Sequence, residues 1–195
     1  MWYIADCDPG AKLYIGLKDK CTRESFQQSL SDGTVEGQVH AVRPEPGESI
    51  FIPSGRLHAI GAGFLIYEIQ QNSDTTYRVF DWNRVGLNGA PRDLHIEESM
   101  ASIDFNDFEP RMDQADGDSL ASCEYFVVQR HKLSKLEEIT NTNDSFSIIT
   151  VISGKISSRE GRIFKTGDFL ILPRNASPLT VEGDCQILRT TLPGA

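Results

Sequence analysis

Cysteine is scarce in this 195-residue chain: four residues, Cys7, Cys21, Cys123 and Cys185, none in a C-x-x-C pair. That spacing excludes a zinc knuckle and a thioredoxin-like redox motif. The four read as reduced thiols, which fits a cytoplasmic chain. No apolar run reaches the ~20 residues that a membrane-spanning helix needs, so no membrane partner is expected. The first residues, Met1-Trp2-Tyr3-Ile4-Ala5-Asp6, lack both the basic and the apolar region of a signal peptide. Basic residues are also in short supply, at 19 Lys and Arg against 28 Asp and Glu, for a formal charge of −9. With no basic face to meet phosphates, a nucleic-acid partner is excluded. The acids are scattered and form no tail.

What the chain does have is a core-forming composition. Apolar residues make up 39%, with ten Phe, five Tyr and two Trp. Sixteen Gly and nine Pro punctuate short β-branched and aromatic runs. That pattern reads as a mainly β sandwich or barrel. Strands are expected at residues 2–5, 12–17, 48–52, 63–70 and 75–80, and again at 125–128, 146–152, 169–172 and 186–188. Thr22 is a good helix N-cap, with Ser25 at the capping-box position and Gly33 as the stop. Residues 94–103 form a second short helix. Residues 105–122 are acidic and aperiodic, and read as a linker between a module at 1–104 and another at 123–195.

Gly47-Glu48-Ser49-Ile50-Phe51-Ile52-Pro53 has an echo in Gly167-Asp168-Phe169-Leu170-Ile171-Leu172-Pro173. A turn, a strand and a terminating proline recur, which suggests two similar β modules in tandem.

The strongest local signal is Gly47-x5-Pro53-x-Gly55-x2-His58. Gly47 starts the strand from a tight turn. Ile50 and Ile52 share one face. Pro53 ends the ladder because it has no N–H to donate, and Gly55 allows a second sharp turn. His58 then returns to the barrel mouth, where an imidazole serves as a metal ligand. The bland reading of His58 is a hydrogen-bonded buried histidine. The motif resembles the second signature of the cupin superfamily, a double-stranded β-helix of the jelly-roll type.

Longer segments resemble a narrower family. Ile52 to Gly61, IPSGRLHAIG, is similar to a segment of bacterial type I mannose-6-phosphate isomerases. So are Glu68 to Trp82, EIQQNSDTTYRVFDW, and Arg92-Asp93-Leu94-His95-Ile96. Trp2-Tyr3-Ile4 with Pro9-Gly10-Ala11 resembles the strand pair that precedes them. The likeness is close over about residues 1–104 and loose over the second module.

The resemblance implies two tandem cupin modules with short helices, the first incomplete. It implies interconversion of mannose 6-phosphate and fructose 6-phosphate by proton transfer between C1 and C2. Zinc or another divalent metal would be the cofactor and a sugar phosphate the small-molecule partner. His58 falls on the family's last metal ligand and Arg78 on its active-site arginine, a permanent cation suited to enediolate charge. Glu68 and Asn72 are assigned to substrate binding. Read from the residues alone, Arg78 could equally pair with Asp74 or Asp81. Arg84 and His95 read as structural partners, and Glu97 and Glu98 as solvated helix residues.

The chain also departs from the family. The Gln-x-His-Pro and Lys-Thr-Glu segments that supply the other metal ligands precede the Trp-Tyr-Ile strand in the family. Here that strand begins at Met1, which reads as an internal methionine. Gln38-Val39-His40 mimics the absent Gln-x-His by composition only, with no proline after it. A catalytic zinc needs three protein ligands, so impaired activity is expected. The alternatives are a non-catalytic cupin that binds a sugar phosphate or a protein, and a second chain that supplies the ligands. Strands missing from the first module would leave sheet edges open to homodimerisation. The second module has Asn175 where a histidine would be needed, so no metal is expected there.

Overall fold

The computed structural model describes residues 1–82, 84, 89–141 and 144–194. The chain is mainly β and divides into two compact units, Met1–Met112 and Asp113–Ala195.

The first unit opens with β1 (Trp2–Cys7) and β2 (Leu13–Leu17), then α1 (Arg23–Asp32). Strands β3 (Val39–Val42), β4 (Ser49–Ile50), β5 (His58–Ile60) and β6 (Phe64–Glu68) follow, and α2 (Ile96–Ser102) comes last. Two sheets result, in the orders β4-β1-β6 and β3-β2-β5. Alternation sends Trp2, Ile4, Leu13, Ile15 and Ile50 into the space between them, where all are buried.

Helix α1 starts where the sequence signals it. The Thr22 side chain accepts from the Ser25 N–H while the Ser25 hydroxyl accepts from the Thr22 N–H, a complete capping box. Gly33 ends the helix at φ 69°, with its N–H on the Ser29 carbonyl. Phe26, fully buried, leads a second cluster with Leu17, Val39, Met100 and Ile103.

The second unit contains β7 (Ser119–Ser122), β8 (Val127–Leu133), β9 (Glu138–Ile139), β10 (Ser147–Ser153) and β11 (Lys155–Ser157). It continues with β12 (Ile163–Lys165), β13 (Phe169–Leu172), β14 (Leu179–Val181) and β15 (Cys185–Thr191). Its sheets run β13-β10-β15-β8-β7 and β12-β11-β14-β9 around a core that includes Ile139, Ile149, Val151, Ile156, Leu172 and Ile187.

The strand orders of the first unit recur inside those of the second. β13-β10-β15 matches β4-β1-β6, and β12-β11-β14 matches β3-β2-β5. Local geometry matches as well. Gly47 (φ 95°) donates to the Ile4 carbonyl at 2.8 Å, and the Ile4 N–H donates to Glu48 O at 2.9 Å. Gly167 (φ 92°) donates to Val151 O at 3.0 Å, and the Val151 N–H donates to Asp168 O at 2.9 Å. Each central strand then carries an irregularity, between Ile4 and Asp6 in one and between Val151 and Ser153 in the other. In the second unit β8 lies beyond β15 and β9 beyond β14, whereas β6 and β5 end their sheets among the described residues.

Three sequence expectations change. Residues 75–80 form no ladder; the Arg78 N–H reaches His95 Nδ1 at 3.2 Å, and the His95 N–H reaches the Arg78 carbonyl at 2.8 Å. The helix expected from Leu94 starts at Ile96. The span 105–122 holds packed structure rather than an open connection. Phe105 packs on the α1 cluster, and Leu17 exchanges backbone hydrogen bonds with Asp107 and Glu109. At the far end of the span lies β7. The acids that gave the span its linker-like composition are partly spent on pairing, as Asp107 shows below.

Candidate functional site

β5 returns His58 into the first unit's barrel. Its partner in register, Ile15, is fully buried, so the imidazole leans over the core face while staying exposed at the mouth. His58 Nδ1 lies 2.8 Å from the Arg56 carbonyl. A carbonyl only accepts, so Nδ1 carries the hydrogen and Nε2 keeps its lone pair in the neutral ring. A ligating histidine characteristically has this arrangement, with one nitrogen anchored on an acceptor and the other turned outward.

Arg56 is itself locked. Its Nε and NH2 meet both carboxylate oxygens of Asp107 at 2.9 Å, and NH1 donates to Phe51 O at 2.8 Å. Three bonds from one guanidinium therefore fix the loop that presents His58. Gly55 makes the sharp turn possible at φ 90°, where a side chain would also crowd the Ser102 carbonyl.

Glu68 closes the far end of β6 opposite Trp2. The Trp2 indole Nε1–H donates to Glu68 Oε1 at 2.9 Å, and the Trp2 ring meets the His58 ring edge-on with centroids 5.4 Å apart. One buried indole thus holds a carboxylate and an imidazole at the same barrel mouth. The sequence reading placed His58 and Glu68 there but missed Trp2, Arg56 and Asp107. Trp2 could have been found once the β1–β6 register was known, because it shares a face with Ile4.

Arg78 belongs to a different contact set. Its NH1 donates to the Asp93 carbonyl at 3.2 Å, and its backbone is tied to His95. Asp81 pairs with Arg92 instead, through Arg92 Nε at 2.7 Å and a second bond from NH2. That hydrogen bond, with the charges of Arg92, Arg78 and Arg84, holds the Asp81 carboxyl below the usual carboxylate range. Asn72 is exposed in the turn after β6. Among the described residues, neither Arg78 nor Asn72 makes a hydrogen bond to His58. His40 lies on β3. Among the described residues no three His, Cys, Asp or Glu side chains converge as a metal-binding group.

The two units treat this mouth differently. Gly61 N donates to Lys12 O at 3.1 Å, and Glu182 N donates to Lys155 O at 3.0 Å. Those bonds align Ile60, paired to Leu13, with Val181, paired to Ile156. Two residues earlier, Leu179 therefore occupies the second unit's counterpart of His58. By the same alignment, Arg189 opposite Ile149 is the counterpart of Glu68 opposite Trp2.

Known proteins resemble the chain as follows. A family profile described as mannose-6-phosphate isomerase, cupin domain, matches residues 118–192. GmuF of Bacillus subtilis strain 168, named a probable mannose-6-phosphate isomerase, is 33% identical over 96% of this chain and 62% of its own length. The mannose-6-phosphate isomerase ManA of the same strain is 33% identical over 93% of this chain and 60% of its own. The crystal structure of the Bacillus subtilis mannose 6-phosphate isomerase superposes with a TM-score of 0.84 at 29% identity, covering 98% of this chain and 63% of that one. The chain thus spans 62% of the length of the first of these curated relatives.

Proposed function

We propose that this chain is a member of the cupin-type mannose-6-phosphate isomerase family, which its 33% identity to GmuF and to ManA supports, and that its first unit is the substrate-facing part of an aldose–ketose isomerase site. The observation that carries the reading is Trp2 joining His58 and Glu68 at one barrel mouth. The substrate is a sugar phosphate, mannose 6-phosphate passing to fructose 6-phosphate. Both units are cupin modules, which the recurring strand order supports.

In such a reaction a divalent metal such as zinc supplies Lewis-acid polarisation of the substrate oxygens. His58, with Nδ1 anchored and Nε2 outward, has the form of one ligand. A catalytic zinc takes three protein ligands, and no such group exists among the described residues. The described residues therefore do not complete a metal site, and impaired catalysis by these 195 residues alone is part of the proposal. The roles left to this chain are its own. Glu68 keeps Oε2 available to accept from sugar hydroxyls. Arg78 offers a permanent positive charge to a developing enediolate, and Asn72 offers an amide to the substrate.

The incomplete ligand set also supports a second reading, a non-catalytic cupin that binds a sugar phosphate or a protein. β5 and β6, at their sheet edges, are the strands through which a homodimer would add. A cytoplasmic location is proposed from the four free thiols. No described helix is long and apolar enough to cross a membrane.

The test combines zinc titration, binding of mannose 6-phosphate and a coupled isomerase assay on the 195-residue chain. The expected result is weak zinc binding that His58→Ala abolishes. Sugar-phosphate binding should weaken in Glu68→Ala and Arg78→Ala, with little or no turnover. Tight stoichiometric zinc with rapid turnover would overturn the impairment. Sugar-phosphate binding equal in wild type and both variants would overturn the site.

A further inference from the structure

We propose that the second unit's barrel mouth is a small-oxyanion site of the phosphate class, with Arg189 and His131 as its binding residues. Strands β15 and β8 pair Ile187 with His131 and Arg189 with Gln129. Ile187 is a core residue, so His131 and Arg189 both lie on the inward face. They are diagonal neighbours there, within about 7–8 Å, the reach of long side chains.

Each has a buried side-chain nitrogen without a hydrogen-bond partner among the described residues. Arg189 NH2 donates to the Thr140 carbonyl, while the buried Nε has no hydrogen-bond partner among the described residues. His131 Nδ1 lies 3.3 Å from Asp118 Oδ2, while its buried Nε2 has no hydrogen-bond partner among the described residues. The carboxylate by Nδ1 places the ring hydrogen there. Nε2 then accepts from the hydroxyl of a phosphate monoanion.

The charges favour an anion. Asp118 lies on the Nδ1 edge of the His131 ring, away from Nε2, and Asp144 is engaged by Arg174 at 3.0 Å. Arg189 forms no ion pair with a carboxylate among the described residues. Partial burial without a counter-charge is costly for a cation, and desolvation pulls the Arg189 guanidinium below its ordinary range. An oxyanion would supply the missing charge and two acceptors in the geometry that a guanidinium fork prefers.

The comparison between units points the same way. The first unit's mouth carries an imidazole and a carboxylate, His58 and Glu68. At the matched positions the second carries Leu179 and Arg189, which exchanges a cation- or polyol-seeking mouth for an anion-seeking one. The inference does not depend on the isomerase reading, because it involves the second unit alone.

The experiment follows the arginine Nε–Hε signals of the 195-residue chain by NMR as inorganic phosphate is added at constant ionic strength. The expected result is a saturable shift of the Arg189 signal. Arg189→Gln should weaken binding about 10-fold or more, as expected for losing a charge-assisted bond. His131→Gln should weaken it less, and Arg189→Lys should fall between wild type and Arg189→Gln. If Arg189→Gln does not fold, the wild-type titration and His131→Gln decide. Acetate in a parallel arm separates a phosphate site from a general oxyanion site, and saturation by either supports the proposal. Absence of saturation by both, or equal affinity in wild type and His131→Gln with Arg189 unshifted, would overturn it.

Discussion

Removing the Asp107 carboxylate should unfasten the loop that carries His58. Arg56 reaches both Asp107 oxygens at 2.9 Å, and the two side chains are each only 16% exposed. Breaking a buried pair from one side costs about 3–5 kcal/mol, mostly because the surviving charge is stranded. Residual exposure lets water reach the guanidinium, so Asp107→Ala should cost about 2–3 kcal/mol. Asp107→Asn keeps one acceptor and should cost about 1–2 kcal/mol. The double variant Arg56→Met with Asp107→Leu strands no charge and should recover part of the loss. Urea unfolding followed by tryptophan fluorescence is the assay, because Trp2 and Trp82 both belong to the first unit. A coupling energy near zero across the cycle, or a loss below about 0.5 kcal/mol for Asp107→Ala, would refute the clamp. The clamp also predicts that Asp107→Ala weakens whatever His58 binds, through the Arg56 carbonyl that anchors its ring.

Gly16→Ala should destabilise the first unit by about 2 kcal/mol or more, since φ is 68° and a Cβ would sit 2.5 Å from Pro110 Cδ and 2.8 Å from the Asp107 carbonyl; a loss below ~0.5 kcal/mol in the same urea assay would count against that packing. Asp81 should titrate below the ordinary carboxylate value of about 3.9, because Arg92 holds it ionised. Its contribution to stability is therefore present above that value and fades as pH falls through the lower folded pKa; carboxyl NMR should show the midpoint returning toward normal in Arg92→Gln.

Some of the molecule was legible because the signals were local. The Thr22 cap, the Gly33 stop and the Gly47-to-Pro53 turn depend on neighbours in sequence, and the chain writes them in residue types. The strand expected at residues 75–80 was not legible. Thr75, Tyr77 and Val79 alternate like a strand, yet a strand requires a partner edge that pattern alone does not supply. In the fold the Arg78 N–H and C=O both pair with His95 instead. Residues 105–122 misled in the opposite direction. Acidic composition argues for solvent, but Asp107 is acidic because Arg56, fifty-one residues away, needs a counter-charge. Trp2 escaped notice for a related reason: its role exists only across the β1–β6 register.

The repeat shows where sequence comparison stops and geometry continues. The echo between residues 47–53 and 167–173 is visible by eye, but it gives out before the chemistry. From Gly47 to His58 is one residue shorter than from Gly167 to Leu179, so a simple alignment after the prolines drifts out of register. Backbone hydrogen bonds restore it. Gly61 to Lys12 and Glu182 to Lys155 mark the same point in both units, and Asn175 (φ 55°) turns the chain left-handed where Gly55 (φ 90°) does. Asparagine tolerates that conformation better than most residues with a side chain, so the turn survives the loss of glycine. With the register fixed, Leu179 faces the position of His58 and Arg189 that of Glu68. The same framework can therefore carry opposite charge preferences, because strand pairing sets where a side chain points while the identity of a few inward residues sets what it can hold.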